Sequence, residues 1–312
     1  MMYQTATVAL LASLMPMANA HYFFDKLVVN GQASADFVRS NTRPIAYMPT
    51  KWKNSFDNTT PDSIDFRCNV GATNKGSKAT AKVKAGDSLA MTIAVGARME
   101  HPGPGQVYMS KAPGAAGSYD GSGDWFKIHQ ETICNPSGDI KKDAWCTWSK
   151  DRISFKIPQG IPDGDYLIRS EHIGLHGAHD GQAEFYYGCA QVTVSGGSGS
   201  IPSNTVKIPG VYKVNDPEVN FSVWSNNKNY PAKGPGPAVF TPNTSATTPA
   251  KEDASPVASP VSTPISSAAP VSSSTPSKPA QSPAPSADPS KCGMYIRRHA
   301  RDIAQIAAAF LH

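Results

Sequence analysis

Eight histidines lie along the 312 residues, and His21 has the most unusual position. It follows the segment MMYQTATVALLASLMPMANA, in which Val8–Met15 is a short apolar run and Ala18-Asn19-Ala20 places small residues around a cleavage point. That pattern is a secretory signal peptide, and its removal makes His21 the mature N-terminus. An N-terminal histidine carries two nitrogen donors, the freed α-amine and ring Nδ1, which together close a chelate ring on one metal ion. An internal histidine cannot do this, because its backbone nitrogen is an amide. The amine titrates near neutral pH, so a metal displaces its proton readily. His101 opens the run His101-Pro-Gly-Pro-Gly ahead of a short strand, where a ring can face a surface site. In Ala183–Val194, alternation puts Glu184, Tyr186 and Gly188 on one face of a strand and Phe185, Tyr187 and Cys189 on the other. An acid and a phenol therefore stand side by side. His129 and His179 read as exposed loop residues.

These groups need a scaffold, and the scaffold reads as β. Ser88–Val95, Gln106–Met109, Arg152–Ile157, Asp165–Ile173 and Ala183–Val194 are short alternating or β-branched stretches separated by Gly, Pro, Asn and Asp. Helical periodicity is scarce from 21 to 242. Strands of this length with frequent turn signals predict an all-β, immunoglobulin/fibronectin-like antiparallel sandwich. The connections 34–64, 110–123 and 134–150 are too long for simple hairpins, and loops of that size on a sandwich tend to be functional.

The composition divides the chain. All aromatic residues except Tyr3, Tyr295 and Phe310 lie in 21–242, which is the expected globular domain. Residues 243–290 hold 13 Ser, 10 Pro and 5 Thr in 48 positions and read as an extended, O-glycosylated linker. The tail 291–312 carries Ile303, Ile306, Ala307 and Phe310 at helical spacing behind Arg297, Arg298 and Arg301, and its role is open. The net charge of +5 with only 17% charged residues argues against a nucleic-acid partner. No apolar run after the first twenty residues is long enough to span a membrane. Cys68, Cys134, Cys146 and Cys189 permit three pairings, of which Cys134–Cys146 with Cys68–Cys189 is favoured; Cys292 stands alone in the tail. Sequons at Asn58, Asn220 and Asn243 are compatible with a glycosylated, extracellular protein.

Several ordered motifs resemble one family, the fungal lytic polysaccharide monooxygenases of the cellulose-active auxiliary-activity family nine. They are His21-Tyr-Phe-Phe24, His101-Pro-Gly-Pro with Val107-Tyr-Met-Ser-Lys111, Trp125-Phe-Lys-Ile128, and Asp165-Tyr-Leu-Ile-Arg169 with His172-Ile-Gly-Leu-His176. Phe185-Tyr-Tyr-Gly-Cys189, Ile208-Pro-Gly-Val-Tyr212 and Gly234-Pro-Gly-Pro-Ala238 continue the series over roughly 21–242. The resemblance implies a copper site of three nitrogens, the amine and Nδ1 of His21 and Nε2 of His101, with Tyr186 as axial ligand. It implies His176 beside the metal as a catalytic residue, and substrate contact at Trp224 and Tyr47. Nitrogen donors with an open face suit copper, whereas zinc accepts similar donors but has no redox chemistry. The implied activity is oxidative cleavage of β-1,4-glucosidic bonds in cellulose or a related β-glucan. Its co-substrate would be O2 or H2O2, and its electrons would come from an external donor such as a small phenol, ascorbate or a secreted dehydrogenase. A monomer is expected.

One position departs from the family. Two residues before the axial tyrosine the family carries glutamine, and here Glu184 stands there. A carboxylate at that point favours the more oxidised copper and can donate a proton when protonated. The alternative is a shifted register in which Gln182 takes the role. Two other classes remain distinguishable by assay. A non-catalytic carbohydrate- or copper-binding sandwich forms no oxidised sugars. A two-carboxylate glycoside hydrolase releases products without reductant and gives no reason for a terminal histidine.

Overall fold

Nine strands, most of them carrying β-branched or aromatic residues, and four single turns of 3-10 helix make up the regular structure among the described residues. The computed structural model describes residues 21–94, 96–225 and 229–242. The segments 1–20, 243–290 and 291–312, with Cys292, lie outside them. The strands are β1 (Phe24–Val29), β2 (Gln32–Ser34), β3 (Ala81–Lys84), β4 (Ser88–Ile93), β5 (Gly105–Lys111), β6 (Phe126–Glu131), β7 (Arg152–Lys156), β8 (Gly164–Gly174) and β9 (Glu184–Ser195).

They make a sandwich of a four-stranded sheet, β2-β1-β4-β7, and a five-stranded sheet, β3-β9-β8-β5-β6. Asn30-Gly31, with φ of 50° and 77°, turns β1 into β2, as two left-handed residues in a tight hairpin must. The pairing is antiparallel except that β3 runs parallel to β9, which makes the larger sheet mixed. His129 corrects the expectation of an exposed loop histidine. It lies half-buried on β6 opposite Val107, with Nε2 3.2 Å from Glu131 Oε1. His179 is exposed in a 3-10 turn, as expected.

Both faces of β8 and β9 are buried. Tyr166, Ile168, Tyr186, Val192 and Val194 point between the sheets, against Leu27, Met91 and Phe155. Leu167, Phe185, Tyr187 and Cys189 point the other way, into a second core built by the long connections with Phe66, Trp125, Trp145 and Tyr212. The disulfide Cys68–Cys189 staples one connection to β9, and Cys134–Cys146 closes the loop between β6 and β7. A fully buried ion pair, Arg169 Nη2 to Glu171 Oε2 at 2.6 Å, sits on this second face of β8. Glu171 also accepts hydrogen bonds from Gln106 Nε2 at 2.7 Å and the Tyr212 hydroxyl at 2.6 Å.

The antiparallel β8–β9 pair gives the molecule two poles. Gly174 and Glu184 are paired at one end, and Gly164 and Val194 at the other. Gln159, Ser198, Ile201, Phe240 and Pro242 line a shallow cavity of about 1160 Å3 at the second pole.

Candidate metal centre

The first pole gathers the histidines. Backbone pairing carries the start of β1 there, since the Ala94 amide donates to the Phe23 carbonyl at 2.8 Å and Phe24 pairs with Ile93. His21 therefore projects from the head of β1. His101 arrives through its Pro-Gly-Pro run, which continues the β5 side of the sheet by carbonyls alone. The Leu175 amide donates to Pro102 O at 2.8 Å and the Ile173 amide to Pro104 O at 3.0 Å. Proline has no N–H to offer, and this edge does not need one. Gly103, with φ of 154°, fits because a Cβ there would strike the Ile173 carbonyl oxygen. Gly174 likewise leaves room for His101, whose Cβ would lie 3.2 Å from an added Cβ.

His21 and His101 meet edge to face with ring centroids 5.6 Å apart. Tyr186 lies beneath them, 6.2 Å from the His21 ring and 5.7 Å from the His101 ring. His176, two residues beyond β8, stacks on His101 at 4.5 Å. Ligand atoms of His21, His101 and Glu184 all lie within 4.8 Å of one another, an arrangement that can hold a metal ion. Both histidines are half-buried, so the site opens to solvent.

Glu184 is the electrostatic hub. It accepts the Tyr186 hydroxyl at 2.6 Å. Its oxygens lie 3.7 Å from His101 Nε2, 3.5 Å from His176 Nε2 and 3.8 Å from Lys51 Nζ. Burial opposes ionisation of this carboxyl, but the His176 contact, the His101 charge and the phenol outweigh it and hold the pKa down to about 2. Burial lowers the His21 imidazole, partly offset by Glu184, and raises the Tyr186 phenol well above its ordinary value. Gln182 is not at this position. Its side chain accepts from Asn54 at 3.1 Å and donates to Asp180 at 2.8 Å, outside the cluster, so the register places Glu184 beside the phenol.

Trp224 is 56% exposed and donates its indole N–H to the His176 carbonyl at 2.6 Å, which brings it beside the cluster. Tyr47 sits half-buried in a turn of the 34–64 connection, and no ring contact joins it to the histidines among the described residues. Three neighbours escaped sequence reasoning. Lys51 reaches Glu184 because Thr50 bridges Phe185 in both directions, at 3.1 and 2.9 Å. Tyr22 stacks on Tyr186 at 4.4 Å and shares a 2.5 Å hydrogen bond with His172 Nδ1. Alternation along β8 puts His172 on the Tyr166 face, which was a usable signal; nothing local marks Lys51 or the partner of Tyr22.

Fold and cluster define a class: a β-sandwich with a half-open, histidine-rich cluster at one pole that can hold a metal ion, its protein side closed by a phenol. Residues 21–231 match Auxiliary Activity family 9 (formerly GH61). The AA9 family lytic polysaccharide monooxygenase D of Emericella nidulans is 62% identical over 240 residues, covering 76% of this chain and 83% of that protein. The AA9 family lytic polysaccharide monooxygenase A of Aspergillus fumigatus is 62% identical over 239 residues, covering 75% and 82%. Among solved structures, a cellulose-active polysaccharide monooxygenase from M. thermophila aligns with a TM-score of 0.57 at 28% identity, covering 70% of this chain and 99% of that one. The chain belongs to auxiliary activity family 9, the lytic polysaccharide monooxygenases, and is an oxidative enzyme acting on polysaccharide.

Proposed function

We propose that the mature protein is a secreted, copper-dependent enzyme that cleaves β-1,4-glucosidic bonds of cellulose or a related β-glucan. The observation that carries this is the convergence of His21, His101 and Glu184 donor atoms within 4.8 Å at a solvent-open pole. Two imidazoles, with a terminal amine once residues 1–20 are removed, are a borderline-soft nitrogen set that fits copper. When bound, copper supplies one-electron chemistry toward O2 or H2O2, with electrons from an external reductant such as ascorbate or a small phenol. No helix among the described residues is long and apolar enough to cross a membrane. The proposal includes cleavage after Ala20, a spacer over 243–290 and action as a monomer.

The chain's own residues divide the work. His21 would chelate copper through its amine and Nδ1, and His101 would add a third nitrogen. Tyr186 occupies the protein side as a neutral phenol, held in place by its bond to Glu184. Glu184 stays ionised and, paired with Lys51, adds little net charge beside the metal. The His176 ring is one-third exposed, reaches the open side, and can hold or pass a proton there. Trp224 offers an exposed aromatic face of the kind that packs on the apolar face of a pyranose ring. Tyr47 is a second, more peripheral candidate for substrate contact.

The test is incubation of matured, copper-loaded protein with cellulose and ascorbate, followed by mass spectrometry for oxidised oligosaccharides. Oxidised products are expected from the protein that begins at His21. A form with one extra residue ahead of His21 is expected to yield none and to bind Cu(II) more weakly. Equal yields from both forms refute the chelate.

A further inference from the structure

We propose that Trp224 is a positioning residue for His176 as well as a sugar platform, so that a glucan ring stacked on the indole is coupled to the orientation of the His176 imidazole over His101. This rests on the reading of the site given above.

An indole that is 56% exposed ordinarily samples several rotamers, but here it is held at two points. Its Nε1 donates to the His176 main-chain carbonyl at 2.6 Å, and the Lys141 ammonium lies over one ring face, 5.5 Å from the centroid. Lys141 itself belongs to the loop closed by Cys134–Cys146. With the cation over one face, the proposed sugar stacks on the other, and a platform fixed in advance loses less entropy on binding. The preceding segment is anchored too, since Phe221 and Val223 are buried.

The His176 ring has few ties of its own. Its Nδ1 is buried with no hydrogen-bond partner among the described residues, its Nε2 is 3.5 Å from Glu184 Oε1, and its plane leans on His101 at 27°. The main chain on which it hangs is therefore decisive. On one side that chain is held by the Leu175 amide bonded to Pro102 O, and on the other the Gly177 carbonyl accepts from the Gln182 amide at 3.0 Å, while the indole bonds the His176 carbonyl itself. A sugar pressed on the indole loads this last tie directly. The polysaccharide's arrival is thus felt at the imidazole that faces the reacting site.

The experiment uses the full chain processed to His21 and loaded with Cu(II), with cellohexaose as the probe. Trp224→Phe keeps an aromatic platform and removes the N–H; Trp224→Ala removes both; Lys141→Ala keeps the N–H. Calorimetry gives affinity, electron paramagnetic resonance gives the copper spectrum with and without saccharide, and product formation gives the rate at saturation. In the unaltered protein and in Lys141→Ala, saccharide is expected to shift the copper spectrum. Trp224→Phe is expected to bind cellohexaose within about threefold of the parent, to lose the spectral shift at saturation, and to fall about fivefold in saturating rate, the scale of one hydrogen bond. Trp224→Ala is expected to lose about tenfold in affinity as well. A Trp224→Phe protein that keeps the shift overturns the proposal, as does one that loses affinity alone with its saturating rate unchanged. A parent protein that binds no cellohexaose also overturns it. A parent that binds copper and cellohexaose but forms no oxidised product refutes the functional reading instead, and the spectral comparison still decides the coupling.

Discussion

Replacing each disulfide by a pair of alanines separates the effect of loop length from that of packing. Cys68 and Cys189 are 121 residues apart in sequence, and Cys134 and Cys146 are 12 apart. The entropy returned to the unfolded chain by opening each loop gives about 5 kcal/mol for the long one and about 3 kcal/mol for the short one. Packing widens the gap. Cys68 and Cys189 are fully buried in the second core with Phe66 and Tyr187, so truncation also leaves a small cavity costing about 1 kcal/mol or more. Cys134 is exposed, and its loss leaves no comparable void. For a domain of this size each kcal/mol moves the melting temperature by about 2–4 °C. The C68A/C189A protein is expected to melt about 10–25 °C below the parent, and C134A/C146A about 6–12 °C below. Scanning calorimetry under oxidising conditions measures both. Equal decrements, or a larger one for the short loop, refute the assignment of these energies to chain constraint.

Two more outcomes follow from the buried charges. Glu171→Ala strands the Arg169 guanidinium at full burial, so urea titration should show a loss of about 3–5 kcal/mol, most of it regained when both residues are made apolar together. Lys127 is buried, donates to Gln130 Oε1 and the Pro235 carbonyl at 2.6 Å each, and is lowered by that burial to about 8. Between about pH 8 and the ordinary lysine value near 10.5 the unfolded chain binds the extra proton, so this group makes stability rise with pH across that window. Denaturation curves at pH 8 and 9.5 should show the parent gaining on Lys127→Met, and a constant difference contradicts the shift.

The strands that carry the site were legible because they are long and bounded by turn residues. The predicted Asp165–Ile173 and Ala183–Val194 differ by only a residue or so at each end from β8 and β9. The alternation that paired Glu184 with Tyr186 was also legible, because side-chain direction along a strand is fixed by the backbone. What alternation could not convey is that both faces of these strands are covered. The second covering is made by irregular connections whose packing depends on residues such as Phe66 and Tyr212, distant in sequence. The parallel β3–β9 pairing was hidden for the same reason, since a four-residue strand has no local mark of its partner. Lys51 reaches Glu184 through a bridge between Thr50 and Phe185, a contact across more than a hundred residues that no local pattern encodes.

The two poles have a practical consequence for attaching anything to this protein. β9 runs twelve residues from Glu184 beside the histidines to Ser195 at the far end, a span of roughly 36 Å at the usual rise of an extended strand. Pro242 packs against Gly160 at that far end. A surface, dye or affinity group fixed at Pro242 would attach at the end of the sandwich opposite the histidines. A partner joined there must bridge the same 36 Å to reach the histidine pole, which takes about a dozen extended residues. A group fused ahead of His21 would sit at the histidine pole itself.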